Sequence, residues 1–319
     1  MKCLNALILA LFAVSCGKAQ SVLPPAPPWN ATVKVVDETG QPVPSANVDV
    51  SYYVKPPPGQ SEASEKISGL TDIDGIFKAS HQDTRSITLG FYVTKSGYYP
   101  SRHGHDLYMA GQFDAKTVET SHNPNLTILL KKVAKPIPMY AKRLDTHIPV
   151  LDKPVGFDLM AGDWVAPYGK GMRTDIIFTA KLDKRSERDW DSKLTVSFPN
   201  QGDGIQPFTV SENEKVSDLR SPREAPESGY EAQWIKTRRE RPDEPSKYGI
   251  DDKLNFFFRI RTILDDKGNV KSALYGKIYG DFMQFRYYFN PTPNDHNVEF
   301  DPKQNLMQGL KGTEEVSQP

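Results

Sequence analysis

Cysteine is nearly absent from this chain of 319 residues: its two cysteines, Cys3 and Cys16, both lie near the amino terminus. If that segment is cleaved, the remainder cannot form a disulfide, so its stability must come from packing. Net charge is also absent, with 40 basic and 40 acidic residues, which argues against nucleic acid as a partner. No run after residue 16 is apolar enough to span a bilayer.

The familiar catalytic signatures are missing as well. The chain has no Gly-x-Ser-x-Gly elbow, no His-Glu-x-x-His helix, no phosphate-binding glycine loop and no Cys-x-x-Cys pair. We therefore expect a protein that is not an enzyme and uses no cofactor. A carbohydrate-active enzyme remains the alternative, because glycoside hydrolysis needs just two carboxylates that lie in the correct places.

Glycine, proline and aromatic residues are plentiful. The chain has 22 Gly and 26 Pro, and 10% of its residues are aromatic. This composition favours many short strands joined by turns over long helices. The sequence therefore predicts an all-β fold.

Residues 1–19 have the pattern of an export signal. Lys2 precedes an apolar run, residues 4–14, which is too short to span a bilayer permanently. Residues 12–16, Phe-Ala-Val-Ser-Cys, resemble a bacterial lipobox, which implies lipidation of Cys16 and a membrane anchor in the outer membrane or periplasm. Residues 17–19, Gly-Lys-Ala, would instead suit an ordinary signal peptidase and a secreted protein. The proline-rich residues 20–28 predict an extended spacer.

Alternating apolar and polar residues predict strands throughout residues 29–133. Residues 32–36 end at the turn of residues 37–42, and residues 46–53 return with Val48 and Val50 on one face, so we expect these two strands to form a hairpin. Further strands are predicted at residues 66–71, 76–77, 87–95 and 126–132.

Three segments carry a family resemblance: Asp-Glu-Thr-Gly-Gln-Pro-Val-Pro-Ser-Ala-Asn-Val at 37–48, Thr-Asp-Ile-Asp-Gly-Ile-Phe at 71–77, and Lys-Ser-Gly-Tyr at 95–98. In order and spacing, residues 29–133 resemble the carboxypeptidase regulatory-like, or transthyretin-like, domain. The resemblance implies a Greek-key β-sandwich that acts as a support, a spacer or a binding module, and that sometimes binds polysaccharide. It implies no active site.

His103 and His105 are the candidate metal ligands of this region. In an extended segment they would share one face, and Asp106 could orient an imidazole. However, residues 101–124 have the composition of a long polar connection, where exposed histidines are common. We therefore predict no metal site.

The second half of the chain resembles no family that we can name. Residues 134–153 contain prolines at 136, 138 and 149 and no alternation long enough for a central strand, so we expect a linker or a strap. Residues 154–307 alternate again and predict a second β-sandwich or a jelly-roll-like domain. Within it, the charged, proline-rich residues 211–252 predict an exposed insertion. Residues 308–319 predict a flexible tail.

The clearest hairpin of the second domain carries the candidate ligand-binding residues. Its strands, residues 254–264 and 270–282, place Arg259, Arg261, Tyr275 and Tyr279 opposite an apolar row. Aromatic rings beside guanidinium groups can bind a sugar or an acidic polymer. The alternative is a solvated or half-covered sheet face.

Together these features predict an exported, lipid-anchored, non-catalytic envelope protein. It would act as a structural or binding module, with a glycan or another envelope protein as its partner and no role for nucleic acid. The alternative is a secreted carbohydrate-active enzyme whose second domain is catalytic.

Overall fold

The computed structural model describes residues 28–54, 63–82, 88–108, 112–145, 147–244, 254–282 and 284–319. The predicted signal, Cys16 and nearly all of the spacer lie outside these residues. The described chain folds into two successive β-sandwiches with very little helix, so the all-β prediction is confirmed. None of its helices has the length and apolar character that crossing a membrane requires.

In the part of the chain that the structure describes, the first sandwich comprises seven strands and one helix. They are β1 (Trp29–Val36), β2 (Asn47–Val54), β3 (Ala63–Leu70), β4 (Ile76–His81), β5 (Thr88–Thr94), β6 (Ser101–Asp106), α1 (Ala115–His122) and β7 (Asn125–Leu129). A three-stranded sheet, β4-β1-β7, packs against a four-stranded sheet, β3-β2-β5-β6. Trp29, Val33, Val50 and Phe91 are among the side chains buried between them.

The expected hairpin between β1 and β2 is wrong. Strand β1 pairs with β4 and β7, whereas β2 pairs with β3 and β5 in the opposite sheet. The turn after β1 therefore carries the chain across the sandwich. Alternation shows which face of a strand is buried, and that pattern is the same for strands paired in one sheet and strands facing each other across the core.

The expected long connection at residues 101–124 is also wrong. Residues 101–106 form β6, the edge strand beside β5. Residues 115–122 form α1, and the carboxylate of Asp114 caps this helix by accepting from the backbone N–H of Thr117 at 3.0 Å. A polar edge strand is hard to tell from a loop by composition, because just one of its faces is covered.

The second sandwich is larger, and its described residues form eleven strands and a short helix. They are β8 (Ile137–Asp145), β9 (Pro154–Asp158), β10 (Asp163–Trp164), β11 (Ile176–Ser186), β12 (Asp189–Ser197), β13 (Gly204–Phe208), α2 (Glu212–Lys215), β14 (Gln233–Glu240), β15 (Asn255–Leu264), β16 (Val270–Gly280), β17 (Gln284–Asn290) and β18 (Phe300–Asn305). A five-stranded sheet, β10-β9-β11-β12-β14, faces a six-stranded sheet, β13-β15-β16-β17-β8-β18.

The six-stranded sheet is buried on both faces. One face packs on the five-stranded sheet through side chains such as Phe178, Phe256 and Phe289. The other face carries Tyr279 and Tyr288 and is covered by chain segments outside the sheet. Those segments contribute the buried side chains Ala225, Val298 and Val316.

The expectation for residues 134–153 is corrected. This segment is not a linker or a strap throughout, because it contains strand β8. Residues 137–145 pair with β17 on one side and β18 on the other, so they form an internal strand. Met139 and Ala141 are buried on one face, while Tyr140 and Leu144 pack on the other. Because β8 carries apolar side chains on both faces, it shows no polar alternation, and the sequence therefore hides it.

Two further expectations about the second domain are corrected. Residues 211–252 are not simply an exposed insertion, because residues 233–240 form β14, and Leu219 and Ala225 are buried. Residues 308–319 are packed against the sheet: Val316 is buried, and the Gln318 carbonyl accepts from the Tyr288 hydroxyl at 3.1 Å. The hairpin of β15 and β16, in contrast, is confirmed.

Candidate ligand-binding groove

The groove begins where the β11–β12 hairpin extends beyond the core of the second sandwich. Near the core, Ile176 and Phe178 of β11 lie buried opposite the six-stranded sheet. Further along, residues 180–186 and 189–194 continue as a paired hairpin, and β14 pairs with residues 190–197 of β12. The inward face of this extension is open and forms one side of the groove.

Alternating side chains of the hairpin form an apolar floor. The register places Ala180 beside Leu194, Leu182 beside Ser192, and Lys184 beside Trp190. Because side chains alternate between the two faces of a sheet, these residues continue the inward-facing row that starts at Phe178. Trp190 is half-buried and contributes the aromatic surface of a groove of about 470 Å³.

Opposing walls come from two other segments. Ile148 and Leu151, which follow β8, contribute aliphatic surface, and Leu151 is 45% exposed. Phe282, in the turn between β16 and β17, is anchored against Trp234 at a ring-centroid distance of 5.4 Å. The aromatic residues of the core therefore hold one wall of the groove in place.

Two cations, Lys236 and Arg238 of β14, line the groove beside this wall. Asp281 is fully buried and ion-pairs with both: its Oδ2 accepts from the Lys236 amine and, at 3.1 Å, from the Arg238 guanidinium. Buried charges need such partners, because an unpaired charge is costly to remove from water. The pair fixes β14 to the β16–β17 turn and places positive charge along the groove.

On the outer face of the same hairpin, ion pairs brace the strands. Arg185 and Arg241 both contact the carboxylate of Asp191, at 2.7 and 2.8 Å. Hydrogen bonds from Arg241 and then from Arg185 lower the pKa of Asp191. This network holds β14 beside β12 far from the core, where few apolar contacts support either strand.

The groove thus combines an aromatic ring, aliphatic surface and cationic donors, the chemistry suited to the apolar faces and hydroxyl groups of sugars. Among the described residues that line it, Glu187 supplies the one carboxylate, and it ion-pairs with Lys184. Glycoside hydrolysis uses two carboxylates. The groove therefore offers surface for stacking and for hydrogen bonding.

The sequence did not predict the groove as a site. Trp190 is visible as an isolated aromatic residue, but its partners come from β11, β14 and the β16–β17 turn. The one local signal is the alternation of Ala180, Leu182 and Leu194 beyond the core.

Arg259, Tyr275 and Tyr279 lie on the covered face of the six-stranded sheet. Arg259 donates to the carbonyls of Gly202 at 2.8 Å and Glu227 at 3.2 Å. Tyr275 and Tyr279 are 3% and 6% exposed. The expectation of an open aromatic face is therefore wrong, because chain segments outside the sheet cover it.

Arg261 points to the other face. A register shift between Ile260 and Ile263, together with a φ of 54° at Arg261, reverses the side chain. Its guanidinium pairs with both carboxylate oxygens of Asp175, at 2.8 and 3.0 Å, and contact with this carboxylate raises the pKa of Arg261. The four predicted residues do not form one surface, and ligand contact by any of them stays a prediction.

His103 and His105 share the same face of β6, as the sequence predicted. The Nε2 atom of His105 lies 2.8 Å from the Ser121 carbonyl oxygen. The pKa of His103 is lowered mainly by burial and also by the neighbouring His105. Within the described ranges, no group of three or more metal-ligating side chains is found.

Comparisons with known proteins give distant structural likenesses. No protein-family model matches the chain, and no curated protein matches it in sequence. A 3-chlorocatechol 1,2-dioxygenase from Rhodococcus opacus is 13% identical, with a TM-score of 0.25 over 34% of this chain and 61% of that enzyme. The chain thus spans less than two thirds of that enzyme's length.

Two other solved structures align over most of both chains. A Bacteroides uniformis protein provisionally assigned as carbohydrate binding is 12% identical, with a TM-score of 0.18 over 83% of this chain and 98% of its own. The major pilin subunit of Bacillus cereus is 11% identical, with a TM-score of 0.22 over 85% and 99%. Likenesses this weak carry no conclusion about activity.

Proposed function

We propose that this protein is a non-catalytic binding module that holds a carbohydrate chain in the groove beside Trp190. The carrying observation is the half-buried Trp190 on an apolar floor, with Lys236 and Arg238 at its edge. An aromatic ring can stack on the apolar face of a sugar while the cations donate hydrogen bonds to its oxygen atoms. The buried Asp281 keeps both cations in position.

In this proposal the first sandwich is a scaffold of the carboxypeptidase regulatory-like type. Two of its turns lie in the segments that carry the resemblance, and each uses an aspartate in the same way. Asp37 accepts from the N–H groups of Thr39 and Gln41, and Asp72 accepts from those of Asp74 and Ile76. Both turns carry the chain from one sheet to the other.

We further propose that the protein is exported and anchored to a bacterial envelope through a lipid on Cys16. Detergent phase partition of the full-length chain tests this proposal. The wild-type protein should enter the detergent phase, and Cys16→Ser should leave it in the aqueous phase. Equal partition of the two into the aqueous phase would instead favour plain secretion.

Glycan binding is tested on a glycan array with residues 20–319, followed by calorimetry with each positive glycan. Trp190→Ala should reduce affinity at least tenfold, because the ring supplies the stacking surface. Tyr168→Ala is the matched control, since Tyr168 is an exposed aromatic residue outside the groove. Released sugar is measured in parallel, and turnover would contradict a non-catalytic module. Equal glycan binding by the two variants would contradict the groove as the binding site.

A further inference from the structure

Two arginines lie side by side on the six-stranded sheet. Arg143 of β8 is directly opposite Arg286 of β17, and Arg286 is directly opposite Tyr279 of β16. The Cβ atoms of such cross-strand neighbours lie about 4.5–5.5 Å apart, and like charges in this arrangement repel each other. A negative charge bound beside the pair would therefore be favoured.

A third arginine reaches the same place from outside the sheet. Arg220 belongs to the segment that covers this face, and with Arg143, Arg286 and Tyr279 it lines a surface cavity of about 140 Å³. The backbone turn at Gly280 and Gln284 closes one side. A single water needs about 10–15 Å³, so the cavity has room for a small polyatomic ion.

The protein itself supplies little negative charge here. Among the described residues, Arg143 and Arg220 have no carboxylate within ion-pair distance, and Arg286 donates to the neutral amide oxygen of Gln318 at 2.9 Å. Asp218 interacts electrostatically with Arg220, but it is already ion-paired with Arg102 and accepts a hydrogen bond from Gln318. Several other arginines of the described chain do pair with carboxylates, namely Arg102, Arg185, Arg223, Arg238, Arg239, Arg241 and Arg261.

We propose that the cavity of Arg143, Arg220 and Arg286 binds an oxyanion of the sulfate or phosphate class. Guanidinium groups present paired N–H donors that match the oxygen atoms of such ions, and Tyr279 contributes to the wall of the same cavity. A bound dianion would offset the repulsion between Arg143 and Arg286. The anion is either a free ion or a sulfate group carried by an acidic polysaccharide.

This site is separate from the proposed groove. The two lie on either side of the β16–β17 turn: Phe282 lines the groove, whereas Gly280 and Gln284 line the arginine cavity. The oxyanion proposal therefore does not depend on the glycan proposal. Trp190→Ala should leave oxyanion binding unchanged, which separates a failure of one proposal from a failure of the other.

The test is thermal unfolding in sodium sulfate compared with sodium chloride at equal ionic strength. Sulfate also stabilises proteins by exclusion from their surface, so the informative quantity is the saturable rise in Tm that Arg143→Gln and Arg220→Gln remove. Arg188→Gln is the matched control, because Arg188 is exposed and far along the β11–β12 hairpin. Arg143→Lys, which keeps the charge but loses the fork, should retain a weakened response.

A second arm identifies the source of the anion. Calorimetry with dextran sulfate and with unmodified dextran separates a polymer-borne sulfate from a free ion. A saturable rise in Tm with sulfate that both glutamine variants lose supports a free oxyanion. Binding of dextran sulfate alone, lost in the same variants, supports the polymer. If Arg188→Gln and the two cavity variants respond alike to both probes, the proposal is overturned.

Discussion

The hydroxyl of Tyr99, in the first sandwich, donates a hydrogen bond of 2.7 Å to the buried carboxylate of Glu299 in the second. The same carboxylate accepts from the backbone N–H groups of Ala134 and Lys135, at 2.9 and 2.7 Å. Burial and this contact raise the pKa of Tyr99. One carboxylate thus joins the first sandwich, the connecting segment and the second sandwich.

Tyr99→Phe should lower the free energy of unfolding by about 1.5–3 kcal/mol, the usual value for a hydrogen bond to a charged group. Urea denaturation measures this loss. Tyr98→Phe is the matched control, because Tyr98 packs on the core of the first sandwich beside Tyr99. A double-mutant cycle with Glu299→Gln isolates the pair, and a coupling near zero would contradict the shared role.

Lys277 is completely buried in the second sandwich. Its amine donates to the Ser221 hydroxyl at 3.0 Å and lies 4.9 Å from the ring centroid of Tyr288. Burial lowers the pKa of Lys277 well below its usual value. The folded protein therefore holds this amine in its neutral form at pH values where the unfolded chain binds a proton.

This shift predicts a pH dependence of stability. Between the lowered pKa of Lys277 and its unfolded value of about 10.4, the unfolded chain binds more protons, so stability rises with pH. Lys277→Met should remove a slope of up to about 1.4 kcal/mol per pH unit in that window. Urea unfolding at several pH values measures how the free energy of unfolding of the wild type and of Lys277→Met depends on pH. Equal slopes for the two proteins would contradict a neutral amine in the folded state.

Much of the fold follows from the sequence, but strand partners do not. The hairpin of residues 255–280 is predicted because each strand alternates and its partner follows directly. Strand β8 is hidden by Pro138, which precedes the residues 140–145 that pair with β17, and by the apolar side chains on both of its faces. Local patterns cannot reveal a partner that lies more than a hundred residues away.

The candidate sites were harder to predict than the fold, for the same reason. The charged, proline-rich residues 211–252 predict an exposed insertion, yet Lys236 ion-pairs with the buried Asp281 and Arg241 with Asp191. Arg261 leaves its expected face because the backbone at that residue has a positive φ. Each outcome depends on tertiary partners that alternation does not encode.

Glycine is required at position 276, in the interior of the six-stranded sheet. A Cβ there would lie 2.2 Å from Cζ of Phe258 and 2.3 Å from the Tyr288 carbonyl oxygen. Gly276→Ala should therefore cost about 1–3 kcal/mol or more through overpacking. Gly104→Ala, on the edge strand β6 with no atom within 4 Å of the added Cβ, should be neutral or slightly stabilising. Thermal unfolding compares the two, and equal Tm values would contradict the packing argument.

Arg261 and Asp175 form a buried two-bond ion pair that also fixes the loop before β11. Asp175 is 1% exposed, and its Oδ2 also accepts from the Leu159 N–H at 3.0 Å. Arg261→Gln would leave this carboxylate without its cation, so the expected loss is about 3–5 kcal/mol. The double variant Arg261→Gln with Asp175→Asn should recover part of that loss, because no unpaired charge remains. Urea denaturation measures both variants. If Arg261→Gln instead kept full stability and lost glycan binding, Arg261 would be a ligand contact and the structural assignment of this ion pair would be wrong.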